Sequence, residues 1–296
     1  MSNVFKPIGQ RFRGELVLLW VTLVWGTTFS LVKDVLLLWP PFMLMTIRFG
    51  LAALVFLPWV VRHWRQSRET VLHGLILGGI LFSGFGLQTL GLAHTSASRS
   101  AFFTALSVLL VPFLGRLFFA LPIRSGTLLG VALGGFGIMF LLGQGLEPEV
   151  LQGDYLTLFC ALAFAAQILF LSEKCRQDHL LVLIGVEMFT VTLLSLVFAL
   201  FWQESIPTSG GALGELLFLG LIATALTLLA QIYGQRYTSA TRAAFCFAFE
   251  PVFACLFAWF WSGQSLSGLE WLGAGCIFVA VLLSERSFVF TVERDS

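Results

Sequence analysis

Charged residues are scarce in this sequence. Among its 296 residues only 11% are charged, whereas 58% are hydrophobic. A soluble domain carries about 25% charged residues, so this chain cannot cover a water-facing surface. The net charge of +1 supplies no excess of basic groups, which argues against a nucleic-acid partner. We therefore predict an integral membrane protein whose surroundings are the lipid bilayer.

The motifs of several enzyme classes are also missing. The sequence contains no P-loop, no H-E-x-x-H zinc pair and no G-x-S-x-G nucleophile elbow. Its five Cys are scattered, and no two have the spacing of a metal site or a redox pair. They are interpreted as small buried hydrophobes. The sequence thus predicts no cofactor, no metal and no catalytic residue, with an intramembrane enzyme or lipid-handling scaffold as a minor alternative.

Long apolar runs are what the sequence has in abundance. A helix needs about 20 apolar residues to cross a hydrocarbon core of about 30 Å. The runs are continuous rather than alternating, which favours helices over a membrane barrel. We predict ten spans, at residues 15–37, 41–61, 71–92, 98–120, 125–143, 153–172, 180–202, 212–234, 239–261 and 267–285.

Lys and Arg are distributed unevenly among the predicted loops. They concentrate in the N-terminal tail, the even-numbered loops and the C-terminal tail. The positive-inside rule then places both termini in the cytoplasm, in a multi-pass protein of the bacterial cytoplasmic (inner) membrane. Arg99 is the main exception. Arg99 and Arg242 are interpreted as side chains that snorkel to the membrane interface.

An internal repeat divides the chain. Residues 88–102 recur at 231–245, a constant offset of 143, with eight of fifteen positions identical. An offset of 139 pairs Gly14 and Glu15 with Gly153 and Asp154. Because five spans per half is an odd number, the second half starts on the opposite side. The sequence predicts two inverted five-helix repeats, residues 1–147 and 148–296, an arrangement common among secondary transporters. The alternative is a Thr-Ser-Ala turn that recurs without duplication.

Ionisable residues inside the spans need a partner or a cavity. Arg48 and Glu187 are interpreted as structural partners of groups near their own membrane edges, with a functional role left open. Glu250 precedes Pro251 in the ninth span. It either faces a cavity, where it binds an ammonium group or carries a proton, or it forms a structural pair. Pro112 and Pro251 are expected to kink their helices.

Gln88 and Gln231 correspond to each other at the offset of 143, so each is expected to face the axis between the halves. Both side chains can donate and accept hydrogen bonds. They either bind a polar substrate or hold helices together. The steps Gly74/Gly78 and Gly130/Gly134 are expected to permit close helix contacts.

Several segments resemble the EamA branch of the drug/metabolite transporter superfamily. They are Leu-Val-Trp-Gly-Thr-Thr-Phe at 23–29 followed by Lys33, Pro41 with Arg48-Phe49, Thr95 to Phe102 with its copy at 238–245, and Glu250-Pro251-Val252. The similarity covers essentially the whole chain. It implies ten helices in two inverted repeats, a central substrate cavity and export of metabolites, often amino acids.

Within the branch, the chain looks most like YddG-type exporters of aromatic and other neutral amino acids. One departure concerns an acidic residue that the family often has after spans four and nine. Leu121 and Gln264 hold those places here, so the role of that carboxylate does not carry over.

The prediction is an all-α secondary transporter, not an enzyme, that exports amino acids or similar small metabolites by alternating access as a monomer. Aromatic side chains would stack on the substrate, while Gln and Thr would bind its head group. The alternative is proton-coupled drug or metabolite efflux through Glu250. The predicted lining residues are Trp25, Thr28, Gln88, Ser107, Phe164, Gln167, Gln231, Phe249 and Glu250.

Overall fold

The computed structural model describes residues 8–66, 68–120, 123, 125–142, 148–205, 207, 211–238, 240–264 and 266–292. Across these ranges the protein is helical and contains no strand, which confirms the all-α prediction. The helices are α1 (Ile8–Val35), α2 (Pro41–His63), α3 (Arg68–His94), α4 (Ala97–Ala105), α5 (Ser107–Phe119), α6 (Ser125–Leu142), α7 (Pro148–Lys174), α8 (Leu180–Phe201), α9 (Leu213–Leu217), α10 (Thr227–Tyr237), α11 (Ala240–Phe247), α12 (Glu250–Ser262) and α13 (Gly268–Val292).

Eight helical segments in the described ranges are long and apolar enough to cross a membrane, and each overlaps a predicted span. They are Phe12–Val35, Pro41–His63, Arg68–His94, Ala97–Phe119, Pro148–Lys174, Leu180–Phe201, Leu213–Tyr237 and Arg242–Ser262. The predicted spans five and ten correspond to α6 and α13. Those helices carry shorter apolar stretches, Leu128–Gly137 and Trp271–Ala280.

Large apolar side chains face outward around the bundle. Leu54, Phe159, Phe201 and Phe260 are between 62% and 81% exposed, and many others share this exposure. A soluble monomer rarely presents continuous apolar surface on this scale. These faces are therefore the lipid-contacting surface of a multi-pass membrane protein.

Two of the spans are broken in the middle. The span Ala97–Phe119 is interrupted at Leu106, between α4 and α5, and the span Arg242–Ser262 at Ala248 and Phe249, between α11 and α12. Leu106 and Phe249 correspond at the offset of 143, so the breaks follow the sequence repeat. The expectation for Pro112 needs correction, because the break comes six residues before it. Pro251 lies in the first turn of α12, where a missing N–H is tolerated.

A π-helical segment, Phe218–Leu226, continues α9 and leads into α10. Helical hydrogen bonds between residues i and i+5 are rare in proteins. Where they do occur, they are frequently found at functional sites. This segment faces α2 and α1, and it presents the backbone of Ala223 and the side chain of Thr224 to them.

Helix pairs pack closely where Gly removes a side chain. Gly74 and Gly78 of α3 lie against α8, and a Cβ added to them would come within 2.8 Å of Val186 and 2.5 Å of Thr190. The close contact expected for this Gly pair is confirmed. Other pairs formed along the bundle are α2 with α8, α3 with α7, α6 with α13, and α1 with α10 and α12.

A polar cluster joins the start of α7 to the segment between α3 and α4. Arg99 forms an ion pair with Asp154, and the Thr95 hydroxyl donates to Asp154 Oδ1 at 2.5 Å. Lys33 Nζ at the end of α1 donates to the Thr95 carbonyl. The side chains of the ion pair are 5% and 0% exposed. The expectation that Arg99 snorkels to the interface is therefore wrong, because Asp154 supplies a buried partner. We call this group the Asp154 cluster.

A second cluster joins the start of α1 to the segment between α10 and α11. Arg242 Nη1 donates to Glu15 Oε1 at 2.8 Å, with side-chain exposures of 41% and 24%. Arg176 Nη2, just after α7, donates to the Thr238 carbonyl at 3.2 Å. We call this group the Glu15 cluster. It is much more exposed than the Asp154 cluster.

The two clusters are built from corresponding residues. The offset of 143 relates Arg99 to Arg242, Thr95 to Thr238 and Lys33 to Arg176, while the offset of 139 relates Glu15 to Asp154. The clusters lie at opposite ends of α1, since Glu15 and Lys33 are separated by about 27 Å at about 1.5 Å per residue. Tight backbone contacts between Gly91 and Gly153, and between Gly234 and Gly14, accompany them.

Candidate functional site

A cavity lies in the centre of the bundle. Side chains from α1, α3, α4, α5, α7, α10, α11 and α12 surround it, so both halves of the chain contribute. The lining consists of Trp25, Thr28, Leu81, Phe85, Gln88, Thr104, Ser107, Phe164, Gln167, Ile168, Gln231, Phe247 and Glu250.

Eight of the nine residues predicted from the sequence line this one cavity. The exception is Phe249, whose ring packs 5.7 Å from Phe245 and 5.6 Å from Phe278. Phe249 falls in the break between α11 and α12, and its ring packs towards α13 instead of lining the cavity. That the eight residues bind substrate remains a prediction.

Trp25 is fixed at the cavity wall by the π-helical segment and the start of α10. Its indole Nε1 donates to Thr227 Oγ1 at 2.9 Å and to the Ala223 carbonyl at 3.2 Å. The Thr28 hydroxyl donates to the Trp25 carbonyl at 2.8 Å. The Trp25 ring lies 5.6 Å from the Phe247 ring. A half-buried Trp whose N–H is satisfied presents a rigid aromatic face to whatever occupies the cavity.

Three Gln side chains provide the amides of the cavity. Gln88 Nε2 donates to Thr104 Oγ1 at 3.2 Å, and Gln231 Nε2 donates to Gln167 Oε1 at 3.1 Å. Gln231 Oε1 is buried and has no hydrogen-bond partner. An unpaired buried amide oxygen is costly, and here it leaves an acceptor for a polar ligand. The Gln residues thus both join helices and face the cavity, so the two interpretations of the sequence combine.

Glu250 is the one ionisable side chain among the lining residues of the described structure. It occupies the first position of α12, where the positive end of the helix dipole favours a carboxylate. Ser107, its counterpart at the offset of 143, lines the cavity at the start of α5. A carboxyl group in one half therefore corresponds to a hydroxyl in the other.

Five lining residues are absent from the sequence prediction. These are Leu81, Phe85, Thr104, Ile168 and Phe247. A usable signal exists for two of them, because Thr104 and Phe247 correspond at the offset of 143. The lining contains five corresponding pairs at one offset or the other, namely Trp25/Phe164, Thr28/Gln167, Gln88/Gln231, Thr104/Phe247 and Ser107/Glu250.

Arg48 lies behind the cavity wall. It is 2% exposed, and its guanidinium lies 4.8 Å from the ring centre of Phe85 and 5.4 Å from that of Phe49. Its Nε donates to Thr224 Oγ1 at 2.7 Å, whereas Nη2 has no partner. The groups that contact Arg48 are therefore a hydroxyl of the π-helical segment and two aromatic rings.

Glu187 of α8 is fully buried, and neither of its carboxylate oxygens forms a hydrogen bond of normal length. The side chain of Gln167 lies near it. Gln167 belongs to the cavity wall, and the structural role expected for Glu187 stays a prediction. Glu187 itself does not line the cavity. Leu121, which holds one of the two places where the family often has an acidic residue, lies outside the described residues.

Apolar helices with outward apolar faces, enclosing a cavity lined by aromatic and polar side chains, define a multi-pass membrane protein. The sequence profile of the EamA-like transporter family matches residues 12–143 and again residues 151–286. The chain belongs to this family. It is a membrane transporter, and its family is one of transport proteins rather than enzymes.

Two relatives illustrate the family. An uncharacterized transporter of Archaeoglobus fulgidus is 32% identical over 275 residues, which cover 93% of this chain and 86% of the relative. A probable amino-acid metabolite efflux pump of Escherichia coli is 31% identical over 169 residues, or 54% of each chain. A crystal structure with 16% identity aligns over 93% of this chain and 97% of its own, with a TM-score of 0.69, which shows a shared fold.

Proposed function

We propose that the protein exports amino acids, or similar amine-bearing metabolites, from the cytoplasm by alternating access. The observation that carries this proposal is the central cavity, whose described lining pairs residues of the two halves around the carboxylate of Glu250. Aromatic and other neutral amino acids are the leading substrates. This choice follows the resemblance to YddG-type exporters, and the Escherichia coli relative is named for amino-acid metabolites.

The proposal includes ten transmembrane helices arranged as inverted repeats, residues 1–147 and 148–296. The double match of the family profile, one to each half, supports two related units. The Asp154 and Glu15 clusters support inversion, because corresponding contacts occur at opposite ends of α1. In inverted-repeat transporters the substrate binds between the repeats near the midplane.

The chemistry of the lining favours a substrate with an ammonium group. Glu250 supplies the negative charge, and Trp25, Phe85, Phe164 and Phe247 supply aromatic faces, which attract cations and stack on apolar side chains. A substrate carboxylate would find neutral donors in Gln and Thr. Since no cationic side chain belongs to the described lining, the cavity favours neutral zwitterions and amines over acidic solutes.

Substitutions in the cavity should slow uptake of a labelled neutral amino acid into proteoliposomes. Trp25→Ala, Gln88→Ala and Gln231→Ala are each expected to lower the rate about 10-fold or more, because each removes a polar or aromatic contact. Trp20→Ala and Gln152→Ala are the matched controls, since Trp20 and Gln152 lie on exposed faces outside the cavity. Wild-type rates in all three cavity variants would disprove the assignment of this site.

Proton-coupled efflux of drugs or other metabolites is the second candidate, and the carboxylate of Glu250 on the cavity wall supports it. Proton coupling requires a group that is protonated and deprotonated during the cycle, and Glu250 is the candidate on the cavity wall. Flux measured with and without an imposed pH gradient separates proton-coupled transport from facilitated diffusion.

Both termini are proposed to lie in the cytoplasm, in the cytoplasmic membrane. A fluorescent protein fused to either terminus should therefore fluoresce in intact bacteria, while alkaline phosphatase fused to either terminus should be inactive. An active phosphatase at one terminus and not the other would mean an odd number of spans. Active phosphatase at both would invert the proposed orientation.

A further inference from the structure

A group of metal-binding side chain types lies away from the central cavity. His73 Nδ1 in α3 is 2.7 Å from Asp178 Oδ2, in the connection between α7 and α8. The Cys175 thiol lies close by, and the ligand atoms of the three residues are within 4.8 Å of one another. We call them the His73 triad.

The surroundings hold these side chains in place. Asp178 N donates to the Cys175 carbonyl at 3.3 Å, so a tight turn puts both side chains on one side of the connection. Asp178 Oδ1 accepts a hydrogen bond from the Thr70 hydroxyl at 2.9 Å, which leaves Oδ2 directed at His73. The Phe170 ring lies edge to face with the His73 ring at 5.7 Å.

Exposure within the triad suits a site that an ion can reach from water. The side chains of His73 and Asp178 are 15% and 9% exposed, whereas Cys175 is 1% exposed. A site with one thiol at the base and an imidazole and a carboxylate towards water leaves a fourth position open to a water molecule. Three protein ligands plus water is a common tetrahedral arrangement for Zn²⁺.

We propose that His73, Cys175 and Asp178 bind a borderline-soft divalent transition-metal ion, with Zn²⁺ as the best fit. Mixed sulfur, nitrogen and oxygen ligands suit Zn²⁺ rather than Mg²⁺ or Ca²⁺, which take oxygen ligands. The ion would replace the direct His73–Asp178 contact, since both atoms would move apart onto the metal. The thiol of Cys175 would lose its proton to water as the metal–sulfur bond forms.

Two features of the triad oppose metal binding and lower the affinity that it can reach. Burial, and next the Asp178 carboxylate, raise the pKa of the Cys175 thiol above its ordinary range. Arg236 Nη2 donates to the Asp178 carbonyl, so a positive charge lies near the site. The ion must displace the proton of the Cys175 thiol and bind near the Arg236 guanidinium. Zn²⁺ can do so because its thiolate and carboxylate ligands together neutralise its charge.

A bound ion would connect the two halves of the chain. His73 belongs to α3, whereas Cys175 and Asp178 follow α7. Occupancy would therefore tie the first half to the second at one end of the bundle. The expected result is a higher unfolding temperature in the presence of Zn²⁺, because a ligand that binds only the folded state stabilises it.

The test uses full-length protein in detergent, stripped of metal with a chelator. Titration with Zn²⁺ against a competing fluorescent chelator should give one equivalent bound. Co²⁺ in place of Zn²⁺ should give the charge-transfer absorption of a cobalt–thiolate bond. This measurement uses the wild-type protein and needs no variant. Cys175→Ser should abolish that absorption, and His73→Ala should weaken Zn²⁺ binding about 10- to 100-fold or more, at least as much as loss of an outer-shell partner.

The chain offers controls for both ligands. His94→Ala changes the His at the other end of α3, about 30 Å from His73, and Cys276→Ser changes a half-buried Cys of α13. Both should keep wild-type binding. Absence of a stoichiometric site in the wild type, a cobalt–thiolate band that persists in Cys175→Ser, or equal losses in the controls would each overturn the proposal.

Discussion

Glu250→Gln is expected to weaken binding of an amine-bearing substrate about 30-fold or more. Leaving a charged partner unpaired in a buried site costs about 2–5 kcal/mol, and the amide keeps the size of the carboxylate. Glu250 lines the cavity without another ionisable side chain among the described lining residues, so no neighbouring group replaces its charge. Binding is measured by competition with a labelled amino acid, and uptake is measured in proteoliposomes.

The matched control is Glu187→Gln, which neutralises a second buried carboxylate that lies outside the cavity. This variant should keep substrate affinity, because its side-chain oxygen can still face Gln167 and the cavity keeps its own carboxylate. Equal losses of affinity in both variants would show that any buried carboxylate is needed for a folded bundle. Unchanged affinity in Glu250→Gln would rule out the carboxylate as the ammonium site.

A pH gradient gives Glu250→Gln a second use. Under proton-coupled efflux, the gradient changes flux in the wild type and has no effect in the variant, because Gln cannot exchange a proton. Under facilitated diffusion, the gradient leaves flux unchanged in both proteins. The two mechanisms therefore predict different responses of the same pair of proteins.

Breaking the two repeat-related ion pairs should have very unequal effects on stability. Arg99→Ala is expected to lower the free energy of unfolding by about 3–5 kcal/mol, because it leaves the Asp154 charge buried without its partner. Arg242→Ala, at the corresponding position, is expected to cost about 0–1 kcal/mol, because its pair with Glu15 is partly exposed. Chemical unfolding of the purified protein in detergent measures both.

A double substitution checks the cause. Arg99→Ala combined with Asp154→Ala should be less destabilising than Arg99→Ala alone, since it removes the uncompensated charge. Equal costs for Arg99→Ala and Arg242→Ala would mean that burial does not distinguish the two clusters. A double variant that is additive would locate the cost of Arg99→Ala outside the pair with Asp154.

The cavity is largely predictable because the sequence repeat supplies pairs. Gln88 and Gln231 correspond at the offset of 143, Trp25 and Phe164 at the offset of 139, and all four line the cavity. The offset of 143 applied to Thr104 selects Phe247, which lines the cavity, whereas Phe249 is the residue predicted from the sequence. The helix break between α11 and α12 changes which neighbour faces inward. Pro251 in the first turn of α12 marks the region of that break, but it does not specify whether Phe247 or Phe249 faces the cavity.

The ionic contacts are harder to predict because their partners are distant along the chain. The sequence alone makes Arg99 an interfacial side chain, although the offset of 139 already matches its partner Asp154 with Glu15. The same distance hides the His73 triad, since His73 and Cys175 belong to different halves of the chain. Sequence spacing detects metal ligands only when they are close along the chain.

The correspondence between Ser107 and Glu250 makes the cavity chemically lopsided. Two halves of equal shape would give the transporter equal faces, but among the described lining residues only the second half contributes a carboxyl group. Under the proposed function, the ammonium group of the solute stays with α12 throughout the cycle, while the aromatic walls of both halves move around it. The relative affinity of the two open states for the solute would then depend on how strongly each state hydrates one carboxylate, while the solute gradient sets the net direction of transport.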